Sequence, residues 1–353
     1  MELDEILKAA VQHGASDVHI VPWRAPFLRI DGKLRALSVD PFSSDDTEKI
    51  IFGALRDELV ERFRRDGELD TSYEMDEARF RLNVLEQNDG YAAVFRVIPT
   101  DIPTPEFLGL DQVMLDLVKL PRGIVLVTGP TGSGKSTTLA SMINIINEER
   151  RDHILTIEDP IEYIYPKKNC VVTQREIGTH STSFQESLKR AMRQDPDVIL
   201  VGEMRDLETI SAALTLAETG HLVFSTLHTT DAAQTVDRII DVFPPHQQQQ
   251  VRAQLAGTLK AVISQQLLPR ADGEGRIAAR EVLIVNNAVA NLIRDNKTHQ
   301  IYSAIQVGGK SGMRTLDKDL KRLVDEGLVS VDAAVAKATS PDAIASIAGG
   351  SMR

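Results

Sequence analysis

The sequence carries a single cysteine, Cys170. One thiol can form neither an intrachain disulfide nor a multi-cysteine zinc site, so a disulfide-stapled scaffold is excluded. No apolar run approaches the roughly 18 residues needed to span a bilayer. The opening Met1-Glu2-Leu3-Asp4-Glu5 lacks the basic start and apolar stretch of a signal peptide. The expected location is the cytoplasm. An excess of positive charge is missing too: 40 Lys and Arg stand against 51 Asp and Glu, a net charge of −11. That balance disfavours sequence-independent nucleic-acid binding, which needs cations to displace counterions. What is present suffices for a folded chain. The 353 residues are 42% hydrophobic and 26% charged, enough for two or three domains and too apolar for wholesale disorder.

Residues 1–98 read as a small α+β domain. A helix over 2–13 places Leu3, Ile6, Leu7 and Ala10 on one face. Strands are expected over 18–21, 27–30 and 33–37, with Asp31-Gly32 as a tight hairpin turn. A helix follows over 45–63. Two further strands, 79–84 and 92–98, flank a turn at Asn88-Asp89-Gly90. Pro99, Pro103 and Pro105 then mark an extended linker over 99–110.

From Gly123 the pattern becomes βαβ. Short apolar strands (124–128, 154–157, 198–201, 222–226) alternate with helices (135–148, from Ser183 to Asp195-Pro196, 207–219, 232–242). Such alternation implies a parallel sheet covered by helices. Ser183 and Glu186 have capping-box spacing. After Gln247 the chain reads as mostly helical, with a strand-like stretch at 278–285, and the tail Gly349-Gly350-Ser351 is expected to be loose. The second domain is taken as 111–353.

Gly129-Pro130-Thr131-Gly132-Ser133-Gly134-Lys135-Ser136 matches the P-loop pattern in full. Glycines let successive backbone N–H groups converge on one anion. The following helix adds the positive end of its dipole. Lys135 is placed to reach the β- and γ-phosphates, Ser136 to ligate Mg²⁺, and Thr137 to hold the α-phosphate. The loop follows an apolar strand and opens a helix, the context that the motif requires.

Other candidates are acidic, histidine and arginine side chains. Val198-Ile199-Leu200-Val201-Gly202-Glu203 delivers a carboxylate at a strand's carboxyl end, where open α/β sheets bind ligands. Glu203 therefore reads as an outer-sphere ligand of Mg²⁺ or as a group that orients water. Hydrolysis also needs a carboxylate to hold water in line with the γ-phosphate. In Glu158-Asp159-Pro160-Ile161-Glu162 two glutamates compete for that task, and spacing does not choose between them. His221 and His228 flank the strand at 222–226. Arg79, Arg81 and Arg96 offer bidentate clamps for phosphate oxygens.

These boxes together resemble the secretion-type ATPases of bacterial type IV pili, most closely the retraction branch that drives twitching motility (PilT-like). The marks are residues 129–137 (Walker A), Glu158 to Tyr163 (the aspartate box), Gln194-Asp195-Pro196-Asp197 through Asp206 (Walker B), and Glu218 to Thr229 (the histidine box). The resemblance covers nearly the whole chain. It implies a PAS-like N-terminal domain followed by a RecA-like P-loop ATPase domain with a helical C-terminal segment. It implies that Glu162 acts on water, that Glu203 serves Mg²⁺, that His228 reads the γ-phosphate, and that Arg81 and Arg96 reach toward the ATP.

The implied assembly is a homo-hexameric ring using ATP and Mg²⁺. It would act on an inner-membrane pilus platform protein from the cytoplasmic face, without nucleic acid. One segment departs from the pattern: Ala290 and Asp295 replace an arginine and a glutamate that retraction ATPases usually carry. An accessory retraction ATPase and an extension or secretion motor are the alternatives within this superfamily. A P-loop kinase and a RecA-like DNA motor are the alternatives outside it.

Overall fold

The computed structural model describes residues 2–344 apart from Asp31, Asp76, Glu77, Pro99, Thr100, Glu274 and Ala343. The turn expected at Asp31-Gly32, the linker's first proline and the tail at 349–351 fall wholly or partly outside those residues. The chain divides into two units, each with its own sheet. The first comprises Met1–Asp101 with Pro160–Ile164 and Gly178–His180. The sequence reading gave both short stretches to the ATPase domain.

In the first unit α1 (Leu3–Gln12) buries Leu3, Ile6, Leu7 and Ala10, as the spacing requires. It is followed by β1 (Asp17–Ile20), β2 (Phe27–Ile30), β3 (Lys33–Ala36), α2 (Ser44–Gly53), α3 (Asp57–Asp66), β4 (Glu68–Met75), β5 (Ala78–Gln87) and β6 (Gly90–Ile98). The strands form one antiparallel sheet in the order β3-β2-β1-β6-β5-β4. Its core is aromatic: Phe63 and Phe95 are fully buried, and Phe63 meets Tyr91 edge to face with centroids 5.3 Å apart.

The single helix expected over 45–63 is in fact two. α2 buries Ile51 and α3 buries Phe63. On one unbroken helix these would point about 120° apart, at 100° per residue. The extended Arg56 breaks the helix, and Gly67 in the left-handed region (φ 78°) ends α3. β4 escaped the sequence reading because this edge strand is largely polar, with only Leu69 and Thr71 buried.

The second unit begins with α4 (Pro105–Leu108) and α5 (Gln112–Leu117). The proline stretch is thus not wholly extended. Thr104 caps α4 by accepting from the Phe107 N–H, and Pro105 takes the first helical position, where a missing donor costs nothing. Next come β7 (Gly123–Thr128), α6 (Lys135–Glu149), β8 (His153–Glu158), β9 (Val171–Glu176), α7 (Phe184–Ala191), β10 (Val198–Val201), α8 (Leu207–Glu218), β11 (Leu222–Leu227), α9 (Ala232–Asp241) and α10 (Pro245–Thr258). β12 (Leu259–Pro269), β13 (Arg276–Ile284), α11 (Asn287–Arg294), α12 (Ile301–Val307), α13 (Leu316–Asp325) and α14 (Val331–Val335) complete it.

The sheet order is β13-β12-β7-β11-β10-β8-β9, parallel from β12 to β9, with β13 antiparallel at the edge. Three features differ from expectation, the first being the edge strand β9, which falls where no strand was expected. α7 stops at Ala191 rather than Asp195, because its last turn tightens to Arg193→Arg190 and Gln194→Ala191 bonds. The segment after Gln247 is helical only to Thr258, the end of α10, where a long strand that the sequence did not announce takes over. β12 follows α10 without any loop, is buried on both faces, and lies beside β7.

Candidate active site

Parallel pairing aligns the carboxyl ends of the strands. Thr128 at the end of β7 lies opposite Leu227 of β11, Ser225 opposite Val201 of β10, and Val201 opposite Ile157 of β8. The P-loop, His228, Gly202-Glu203 and Glu158-Asp159 therefore leave the sheet at one edge. Parallel sheets bind ligands in the crevice outside that edge.

The loop is built by backbone geometry. Gly129 has φ 141°, and a Cβ there would stand 2.2 Å from the Gln265 carbonyl oxygen. Gly134 has φ 85° and is the N-cap of α6; its Cβ would stand 2.9 Å from Gln265 Nε2. Gly132 (φ 77°) faces open space, while Thr131 is exposed and Ser133 buried. Lys135 is buried, and its Nζ donates to the carbonyls of Gly129 (2.9 Å) and Pro130 (3.1 Å). The ammonium is thus folded over the loop. Burial pushes its pKa below the ordinary 10.5, and the Glu203 charge counters part of that effect. Ser136 and Thr137 lie half-buried in the first turn of α6, where amide N–H groups have no intrahelical acceptor.

Glu203 is held by two partners the sequence did not connect to it. Arg205 Nε lies 2.7 Å from Glu203 Oε1, and His228 Nε2 lies 3.0 Å from the same oxygen. Burial opposes ionisation of Glu203, but Arg205 and His228 together hold its carboxyl below the usual carboxylate range. The strand ends are pinned around it: Thr226 Oγ1 donates to the Gly202 carbonyl at 2.7 Å, and the Met204 N–H to the Thr226 carbonyl at 3.1 Å.

The remaining candidates separate. Glu158 is buried at the end of β8, opposite Glu176 of β9. Glu162 is exposed and falls in the Pro160–Ile164 stretch of the first unit. The two histidines sit at opposite ends of β11. His221 lies at its amino end, with Nδ1 2.8 Å from the Leu216 carbonyl, and so belongs to the end of α8; His228 alone meets the loop edge. Arg81 and Arg96 are directly cross-strand on β5 and β6. Arg96 Nε donates to Asp17 Oδ1 at 2.8 Å, and Arg81 lies 3.8 Å from Asp70. Arg79 is buried and donates to Ser72 Oγ. In the departing segment, Ala290 packs against the core from α11, and Asp295 caps that helix's C-terminus.

Among the described residues, no cluster of three or more His, Cys, Asp or Glu could hold a metal ion by itself. One hydroxyl (Ser136) and one ionised carboxylate (Glu203) fit Mg²⁺, which keeps waters and takes its other ligands from phosphates. No described helix is long and apolar enough to cross a membrane.

The chain is 49% identical over 343 residues to the type IV pilus retraction ATPase PilT of Pseudomonas aeruginosa, covering 97% of this chain and 99% of that protein. It is 38% identical to the type IV pilus ATPase PilU of the same organism, covering 96% and 89%. A crystal structure of the pilus retraction motor PilT with bound ADP superposes with a TM-score of 0.91 at 44% identity, covering 97% and 98% of the two chains. Residues 1–336 match the family described as type II/IV secretion system protein, and the chain belongs to that family.

Proposed function

We propose that this protein is a Mg²⁺-dependent ATPase that works as a hexameric ring and powers type IV pilus retraction. The observation that carries this reading is the curled loop at 129–135, closed by the buried Lys135 ammonium on the carboxyl edge of a parallel sheet. Lys135 and the loop amides bind the phosphates. Thr137 holds the α-phosphate, and Ser136 with Glu203 holds Mg²⁺. When bound, that ion neutralises charge developing on the β- and γ-oxygens. Glu162 orients water, His228 senses the γ-phosphate through its shared contact with Glu203, and Arg81 and Arg96 supply guanidinium charge to the phosphates. Transfer to water needs no covalent intermediate.

Differential binding of ATP and its products to two arrangements of the chain supplies the work. The motor acts on a pilus platform protein at the cytoplasmic face of the inner membrane, without nucleic acid. A second reading, an accessory retraction ATPase, draws on Ala290, which stands where retraction ATPases usually carry an arginine.

The test is a pair of variants in the purified protein and in the cell. Lys135→Ala should lose ATP binding and turnover. Glu162→Gln should bind ATP without turning it over, and cells carrying it should keep long filaments that do not retract. Normal hydrolysis by Glu162→Gln moves the water-orienting role to Glu158. Bald cells indicate an extension motor, and a wild-type protein that binds ATP without turnover indicates the accessory role.

A further inference from the structure

The P-loop rests on a buried polar relay made by residues of β12 and β13. Gln265 on β12 is 2% exposed. Its Nε2 donates to the Ser133 carbonyl at 2.6 Å, inside the loop and two positions before Lys135. Its Oε1 accepts from Thr138 Oγ1, in the first turn of α6, at 2.9 Å and from Arg280 Nε at 2.9 Å. Arg280, also 2% exposed, is Gln265's cross-strand partner on β13.

The other two guanidinium nitrogens donate to the carbonyls of Leu108 (2.8 Å) and Gly109 (3.2 Å), at the end of α4. Asp319 of α13 accepts from the Arg280 backbone N–H at 2.8 Å. Burial lowers the Arg280 pKa to about 10, with Asp319 opposing, so the guanidinium stays charged at neutral pH. Both ends of the loop pass so close to Gln265 that a side chain at Gly129 or Gly134 would collide with it.

We propose that Gln265 is a positioning residue for nucleotide binding: its amide fixes the Ser133 peptide, so that the loop's N–H groups are preset for phosphate, and Arg280 fixes the amide. The amide orientation follows from the partners. A carbonyl at Ser133 requires the donor end there, and the Arg280 and Thr138 donors require the acceptor end on their side. A loop so preset binds without the cost of ordering it. The inference rests on the reading of residues 129–137 as an ATP site.

The substitution Gln265→Glu would keep both acceptor contacts and gain charge pairing with Arg280. It would lose only the donation to Ser133 and would set two oxygens against each other. We expect the KM for ATP with magnesium to rise about tenfold, the worth of one buried hydrogen bond left unmade, with kcat reduced less. The stabilisation of the folded protein by ADP should fall in parallel. A purely structural role would lower the unfolding temperature of the nucleotide-free protein and leave KM unchanged.

Unchanged KM and ADP stabilisation in a folded Gln265→Glu protein overturn the proposal. Should that variant not fold, Thr138→Val, which removes one donor holding Oε1, is expected to raise KM about two- to threefold; no rise overturns the proposal equally. A wild-type protein that neither binds nor hydrolyses ATP sinks the ATP-site reading itself, a distinguishable result.

Discussion

Glu281 is 4% exposed, next to Arg280 on β13, and its Oε1 accepts from the Ala232 backbone N–H at 2.9 Å. Burial pushes its pKa up to about 7; the Ala232 bond opposes this, and the negative charges of Asp231 and Asp317 add to it. The ordinary value is 4.5. Between those two values the folded chain holds a proton that the unfolded chain has released. Stability therefore falls as pH rises through that window, by about 3 kcal/mol at most, and is level above it. Glu281→Gln keeps an oxygen for Ala232 and removes the titration. Denaturant unfolding at about pH 5 and about pH 8 should show the wild type losing stability and the variant losing less. Equal losses would show that Glu281 does not titrate in this window. A single buried carboxylate thus leaves a mark on the whole chain, yet nothing in Arg280-Glu281-Val282 announces its burial.

At the scale of elements, β12 is the strand on which the site's surroundings depend. Ile263 is fully buried there, between Val127 of β7 and Val282 of β13. Ile263→Ala should cost about 2–5 kcal/mol in denaturant unfolding, whereas the same change on an exposed helix face would cost within about 0.5 kcal/mol.

The contrast also shows what the sequence could reveal. β7, β8, β10 and β11 were legible as short apolar runs bounded by loops, the mark of strands buried on both faces. β12 was hidden because no loop or proline separates it from the glutamine-rich α10, whose last turn takes in Gly257 instead of being ended by it. β4 and β9 were hidden as polar edge strands. The loop at 129–137 was readable because its spacing encodes backbone geometry directly. Gln265 was not, since it meets Ser133 across 132 residues only through the pairing of β12 with β7. Arg205, two residues from Glu203, lies within the Walker B segment, but its contact depends on how the chain turns after β10.

For the whole molecule, the proposed ring makes a claim that no single site can carry: chains should depend on one another. Glu162 is exposed, so Glu162→Gln exchanges a surface carboxylate for an amide of the same shape and leaves the packed core untouched. Co-expressed wild-type and Glu162→Gln chains should then assemble at random into mixed rings. If each chain hydrolysed ATP alone, activity would fall in proportion to the fraction of inactive chains. If chains must pass through binding and release in concert, one inactive subunit stalls its ring, and activity falls more steeply than that proportion. ATPase rate against mixing ratio, at fixed total protein and saturating ATP, separates the two. A straight line would leave the nucleotide site in place while removing the concerted ring, because independent sites cannot combine their steps into one directed pull.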